Sequence, residues 1–132
     1  MTGTDVQRLR EAWDAFSRGD VDAVASVLDP DVRWYGAGDP HAEGACRSRD
    51  QAVAFIRRSI ADGVRVELLD LRDAGEQLVA IVQGHNPPEW NEPCEPHGEV
   101  ITVHDGKVIE MVVYPTVDEA LAAAGLGSAP RP

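Results

Sequence analysis

The stretch that decides the fold runs from Gly98 to Pro115 and reads GEVITVHDGKVIEMVVYP. Two runs rich in β-branched residues flank Asp105-Gly106, a dipeptide that accepts the positive φ angles of a two-residue type I′ turn. The sequence therefore predicts a β-hairpin in which His104 pairs with Lys107.

A regular ladder counted outward from this turn assigns the side chains to two faces, because they alternate at period two. One face is uncharged beyond the turn, and we predict that it faces a core or cavity, together with one side of the preceding strand. These inward positions are Leu78, Ala80, Val82, Val100, Met111 and Val113. The opposite face carries His97, Glu99 and Glu110 and is predicted to face outward. Its apolar members predict a homodimer through the sheet; they are Val79, Ile81, Ile101, Val108, Val112 and Tyr114.

Capping boxes, periodicity and turn residues predict the other elements. In chain order these are two helices within 4–29, a strand over 32–36, a helix over 48–62, strands over 64–73 and 77–85, the hairpin, and a helix over 116–125. One domain over 1–126 with a flexible tail over 127–132 fits this length.

Composition limits the partners. The chain has 23 acidic and 12 basic residues and a formal net charge of −11, which repels phosphate backbones and excludes nucleic acid. No apolar run reaches the length of a membrane span and the N-terminus lacks the order of a signal peptide, so we expect no membrane partner and a cytoplasmic location. Cys46 and Cys94 are not spaced as a metal or redox pair and are expected to be reduced thiols.

Three phrases in this order of elements carry a family resemblance: SRGDVDAVASVLDPDVRW (17–34), CRSRDQAVAFIRR (46–58) and HDGKVIEMVVYPTVDEALAAAGL (104–126). They resemble the SnoaL-like branch of the nuclear transport factor 2-like (NTF2-like) superfamily. The resemblance implies an α+β cone, in which a curved antiparallel sheet wraps over N-terminal helices around an internal pocket. The superfamily includes polyketide cyclases, ketosteroid isomerases, epoxide hydrolases, dehydratases and members without a known reaction.

The acid–base residues of those enzymes do not carry over to this chain. Val113 stands where the cyclases and epoxide hydrolases have an aspartate before the motif tyrosine. Val82 and Gly84 stand where the epoxide hydrolases have an arginine and an aspartate, and Trp34 and Tyr35 stand where the isomerases have their base. The resemblance therefore indicates the fold and not the reaction.

Candidate chemistry concentrates around the proline-rich loop 86–96, which is expected at the mouth of the cone. A histidine beside a glutamate can act as a general acid–base pair. We predict His85 and His97 as the catalytic groups, Glu89 as the residue that orients them, and Trp90 as a cap over an apolar ligand. The alternative is a solvated acidic loop with incidental histidines.

The substrate-binding residues are predicted from the aromatic positions, the inward sheet face and the two mouth loops. They are Trp13, Phe16, Trp34, His41, Phe55, Val82, Trp90, Val100, Met111 and Val113. The aromatic residues could equally be plain core. No metal site is predicted, because His41, His85 and His97 show neither HxH nor HExxH spacing.

These observations predict a cofactor-free enzyme, a cyclase, isomerase or dehydratase that acts on an apolar polyketide- or terpenoid-like molecule by acid–base chemistry. One alternative is a non-catalytic ligand-binding or accessory domain of a homodimer. Another is a structural dimer module whose pocket is filled by its own side chains. An ionisable side chain in the cavity wall would favour the enzyme.

Overall fold

The structure is a computed structural model, and it describes residues 3–35, 46–90 and 95–126. The helices are α1 (Gly3–Ser17), α2 (Val21–Ala25), α3 (Arg49–Ala61) and α4 (Val117–Ala123), with a short 3-10 helix at Pro88–Trp90. The strands are β1 (Leu28–Tyr35), β2 (Arg65–Asp73), β3 (Gln77–His85), β4 (His97–His104) and β5 (Lys107–Tyr114). This order confirms the predicted arrangement of elements. No helix in the described ranges is long and apolar enough to cross a membrane.

The five strands form one curved, unclosed sheet in the order β1-β5-β4-β3-β2. Neighbouring strands are antiparallel except β1 and β5, which are parallel. Helices α1 and α3 contact the two edge strands, β2 and β1 respectively, whereas α4 packs on β4. The sheet and the first three helices thus form an α+β cone.

Side chains cap three helices as their sequences predict. The side-chain oxygens of Asp20, Ser48 and Thr116 each accept a 3.2 Å hydrogen bond from the backbone N–H three residues later. Strand β1 begins at Leu28, earlier than the predicted Val32, because Leu28 pairs with Val108 of β5. That pairing joins residues far apart in the chain, and no local pattern indicates it.

The hairpin turn is confirmed. Asp105 and Gly106 have φ angles of 51° and 76°, as a type I′ turn requires, and His104 pairs with Lys107. Beyond the turn the ladder is irregular: Val103 pairs with Val108, but the next pair joins Thr102 to Glu110. Ile109 is therefore an extra residue in β5, which makes a β-bulge.

The bulge reverses the predicted faces of β4. Past it, Ile101 pairs with Met111 and Glu99 with Val113, and paired residues share a face of the sheet. Val100 therefore lies on the outer face, and its predicted inward position is wrong. Four residues predicted to face outward in fact face the helices. Those residues are His97, Glu99, Ile101 and Val108.

The two faces of the sheet have separate apolar clusters. Leu78, Ala80 and Val82 of β3 are fully buried on the inner face, as predicted. On the outer face, Val79 and Ile81, which the sequence assigns to a dimer surface, are buried in a cluster with α4. That cluster consists of Val79, Ile81, Val100, Ala120 and Leu121. The predicted tail, 127–132, and the loop containing His41 lie outside the described residues.

Candidate functional site

A cavity of about 430 Å³ lies between the inner face of the sheet and helices α1, α2 and α3. Ligand pockets of small-molecule sites typically measure about 300–1,000 Å³. Apart from the indole nitrogens, the wall has few polar side chains; these are Cys46, Ser59, His97 and Glu99. The protein's own side chains leave this volume open. The structure therefore does not fit the alternative of a structural dimer module, in which they would fill the pocket.

Besides the Cys46 thiol, the ionisable side chains of the wall are His97 and Glu99, which form a pair. They are two positions apart on β4, so both side chains point to the inner face. Nε2 of His97 lies 3.6 Å from Oε2 of Glu99, an ion-pair distance. The Glu99 side chain is only 9% exposed and that of His97 is 25% exposed. Of the charged residues in the described part of the chain, Glu99 is the buried one.

The environment raises the pKa of His97 above its ordinary value. The largest cause is the hydrogen-bonding attraction of the Glu99 carboxylate, burial of the ring opposes it, and the charge of Glu99 and the backbone of Glu95 add to the increase. At a given pH, the ring of His97 is therefore protonated to a larger extent than that of a free histidine.

Trp34 and Phe55 form an aromatic corner of the cavity. Their ring centroids are 5.2 Å apart and their planes meet at 89°. Phe55 is 42% exposed although it lines the cavity, so it lies at the opening. Backbone hydrogen bonds of 2.9 Å between Trp34 and Cys46 place the thiol in the same wall, where burial raises its pKa and the charge of Arg58 opposes the increase.

Several predicted binding residues lie in this wall: Trp13, Phe16, Trp34, Phe55, Met111 and Val113. Two others do not. Val82 is fully buried in the core beneath the cavity, and Val100 faces α4 on the other side of the sheet. His41 lies outside the described residues.

The three predicted catalytic residues are not brought together. His85 is three positions along β3 from the inward-facing Val82, so it points to the opposite face from His97, and its Nε2 lies 3.3 Å from Oε1 of Glu67 in solvent. Glu89 and Trp90 are exposed on the 3-10 helix and do not line the cavity. Trp90 therefore does not cap the cavity as predicted. Residues 91–94 of the proline-rich loop lie outside the described ranges.

Sequence reasoning missed Glu99, which replaces Glu89 as the carboxylate beside His97. A signal was present, because a His-x-Glu pattern in a strand places both side chains on one face whatever the register. The sequence could not show which face, since that depends on the bulge. In the described ranges, no group of three His, Cys, Asp or Glu side chains could hold a metal ion.

Fold and cavity together define an NTF2-like α+β cone. The family profile of the SnoaL-like domain matches residues 9–111, most of the chain, and the chain belongs to that family. No curated protein matches it in sequence.

Solved structures show the same fold at low sequence identity. An NTF2-like protein from Burkholderia xenovorans has a TM-score of 0.67 and 23% identity, with 94% of this chain and 97% of that chain covered. A protein described as a polyketide cyclase, from Sinorhizobium meliloti, has a TM-score of 0.64 and 15% identity over 81% of this chain and 93% of that chain. An LEH-like epoxide hydrolase from M. tuberculosis has a TM-score of 0.66 and 16% identity over 93% of this chain and 90% of that chain.

Proposed function

We propose that this protein is a cofactor-free acid–base enzyme of the cyclase, isomerase or dehydratase kind, acting on an apolar polyketide- or terpenoid-like molecule. The observation that carries the proposal is the His97–Glu99 ion pair in the wall of an otherwise apolar cavity. A wall of aliphatic and aromatic side chains alone would have no group to move a proton.

Glu99 is the group that exchanges a proton with the substrate. Its carboxylate lines the cavity, and Oε2 is the oxygen directed at His97, which leaves Oε1 for the ligand. An anionic carboxylate next to an apolar ligand takes a proton from a carbon beside a carbonyl group, leaving an enolate. Returning that proton to another atom isomerises the substrate. Attack of the enolate carbon on a second carbonyl closes a ring, and the alkoxide formed there takes the proton back from Glu99.

His97 is a positioning residue in this scheme. The positive charge of its imidazolium form offsets the cost of burying the Glu99 carboxylate, and the ring fixes the orientation of Oε2. The raised pKa of His97 favours this arrangement over the one with a neutral ring. The role differs from the sequence-based prediction, in which the histidine itself exchanged the proton.

The structural neighbours support the class of activity and no more than that. The neighbour described as a polyketide cyclase and the LEH-like epoxide hydrolase have the same fold as this chain, at identities of 15% and 16%. A shared fold at such identity does not transfer a reaction. The apolar wall supports the substrate class, because a ligand with many charges would have to lose its hydration there.

The test begins with a thermal-stabilisation screen of polycyclic ketones and terpenoids, since a ligand at a hundred times its dissociation constant adds about 2.7 kcal/mol. Each ligand found is then tested for turnover. We expect E99Q to lose about a hundredfold or more in kcat, as removal of a general base does. E110Q is the matched control, because Glu110 is on the neighbouring strand but faces away from the cavity.

Loss of turnover in E99Q, with E110Q unaffected, would support the proposal. Equal turnover in E99Q and the parent would reject Glu99 as the base. A ligand that binds the parent and never reacts would make the non-catalytic binding domain the better account.

A homodimer through the outer face of the sheet remains part of the proposal. Val112 and Tyr114 stay partly exposed there beside Thr102 and Glu110, although α4 covers Val79, Ile81 and Val100. Light scattering at tens of micromolar should show a dimer, and a monomer at that concentration would reject this assembly.

A further inference from the structure

The α3 side of the cavity is positively charged in a chain that is otherwise acidic. Residues 47–65 contain five arginines against two aspartates, a net charge of +3, whereas the whole chain has −11. Charges in solvent are screened beyond about 8 Å at physiological ionic strength. A ligand at this opening therefore meets the local arginines more strongly than the distant carboxylates.

Arg58 is the arginine that borders the cavity. Its Cζ lies 5.8 Å from the centroid of the Phe55 ring, which lines the cavity and is exposed at the opening. The guanidinium charge also acts on the thiol of Cys46, a second lining residue. The contact with Phe55 places the guanidinium beside the opening, at the rim, and its effect on Cys46 is consistent with that position.

Two arginines near Arg58, Arg57 and Arg65, have polar partners among the described residues, whereas Arg58 has no such partner there. Nη2 of Arg57 lies 3.3 Å from Oδ1 of Asp22, and Nη1 of Arg65 donates to the backbone carbonyls of Ile60 and Val64 at 3.2 and 2.8 Å. Arg58 has no carboxylate within ion-pair distance in the ranges that the structure describes. Among the described residues, no carboxylate would have to be displaced from its N–H groups by a ligand.

We propose that the natural ligand is an amphipathic carboxylate, whose apolar body fills the cavity and whose carboxylate binds Arg58 at the rim. A guanidinium lying over an aromatic ring can offer two parallel N–H groups to a carboxylate. A ligand carboxylate inside the largely apolar wall would lose its hydration, so the apolar part enters first and reaches the His97–Glu99 pair. The inference rests on the proposed function for taking the cavity as the substrate site.

Three probes with the same ten-carbon chain test the charge of the head group: decanoate, decanol and decylamine. Binding is followed by the fluorescence of Trp13 and Trp34, which line the cavity, and by calorimetry. The parent should bind decanoate about tenfold more tightly than decanol, the size of one charge-assisted hydrogen-bonded contact, and decylamine most weakly.

R58Q should bind decanoate no better than decanol, and R58K should give an intermediate preference because it keeps the charge without the planar fork. R57Q is the matched control, an adjacent arginine of the same helix that pairs with Asp22, and it should keep the parent's preference. The inference is overturned if the parent does not bind decanoate, binds decanol equally well, or loses the preference equally in R57Q and R58Q.

The inference and the proposed function fail separately. E99Q should retain the preference for decanoate, because the rim is unchanged, while it loses turnover of any substrate found. A preference that depends on Arg58 in a protein whose E99Q variant turns over normally would keep this inference and reject Glu99 as the base. Turnover that depends on Glu99 without any preference for carboxylates would keep Glu99 as the base and reject this inference.

Discussion

Glu99 has its place in the cavity wall because an ion pair with His97 offsets the cost of burying its charge. The same coupling makes stability depend on pH. The folded protein raises the pKa of His97, whereas an unfolded chain gives histidine its ordinary pKa of about 6.5. The extra stability is therefore complete below the unfolded pKa and is lost as pH rises through the folded pKa.

We expect the free energy of unfolding of the parent, measured by urea denaturation between about pH 6 and pH 9, to fall relative to that of H97Q. An NMR titration of E99Q should show a lower pKa for His97 than in the parent, because the main cause of the increase is gone. Parallel pH curves for the parent and H97Q would show that the pair is not coupled in solution.

Val113 offers a second test at the residue scale, because it pairs directly with Glu99 across the hairpin. V113D places a second carboxylate beside the first, and like charges at paired positions repel. We expect V113D to lower the free energy of unfolding by about 2 kcal/mol at neutral pH, as burial of a second carboxylate beside the first does. V113N controls for the loss of the valine methyl groups, and a melt of V113D that matches the parent at neutral pH would place Val113 away from Glu99.

At the scale of elements, the contact between β4 and α4 depends on Gly98. A Cβ at this position would collide with the Cβ of Ala120 on the helix. Tertiary packing therefore demands a glycine in a strand, where glycine is otherwise unfavourable.

We expect G98A to lower the free energy of unfolding by about 2 kcal/mol, as overpacking does. A120G alone should cost about 1 kcal/mol through helix propensity. The double variant should lose less free energy of unfolding than the two single variants lose together, because A120G makes room for the new methyl group. Urea denaturation of all four proteins measures this coupling, and strict additivity would mean that α4 does not pack on Gly98.

At the scale of the whole molecule, a net charge of −11 in 132 residues makes the compact state repel itself. Salt screens that repulsion, so about 0.5 M sodium chloride should raise the melting temperature by a few degrees. A weak dependence of the opposite sign would mean that favourable ion pairs outweigh the repulsion. H97Q should respond like the parent, since the buried pair is screened much less than charges in solvent.

The sequence by itself determined the features that depend on residues close together in the chain. The type I′ turn follows from Asp105-Gly106, the starts of α3 and α4 follow from Ser48 and Thr116, and the inner face of β3 follows from its alternation. Each is fixed within a few residues, by backbone conformation, a cap or a period, and so it can be read locally.

Only the tertiary structure decided which face of β4 lines the cavity. The bulge at Ile109 arises where two strands of a curved sheet must keep their pairing, and it changes the partner of every later residue. Through that shift Glu99 joins the apolar wall and Val100 leaves it. His85 and His97, similar in sequence context, are separated because they fall on opposite faces of the sheet. The site depends on register and packing between distant strands, which no local pattern contains.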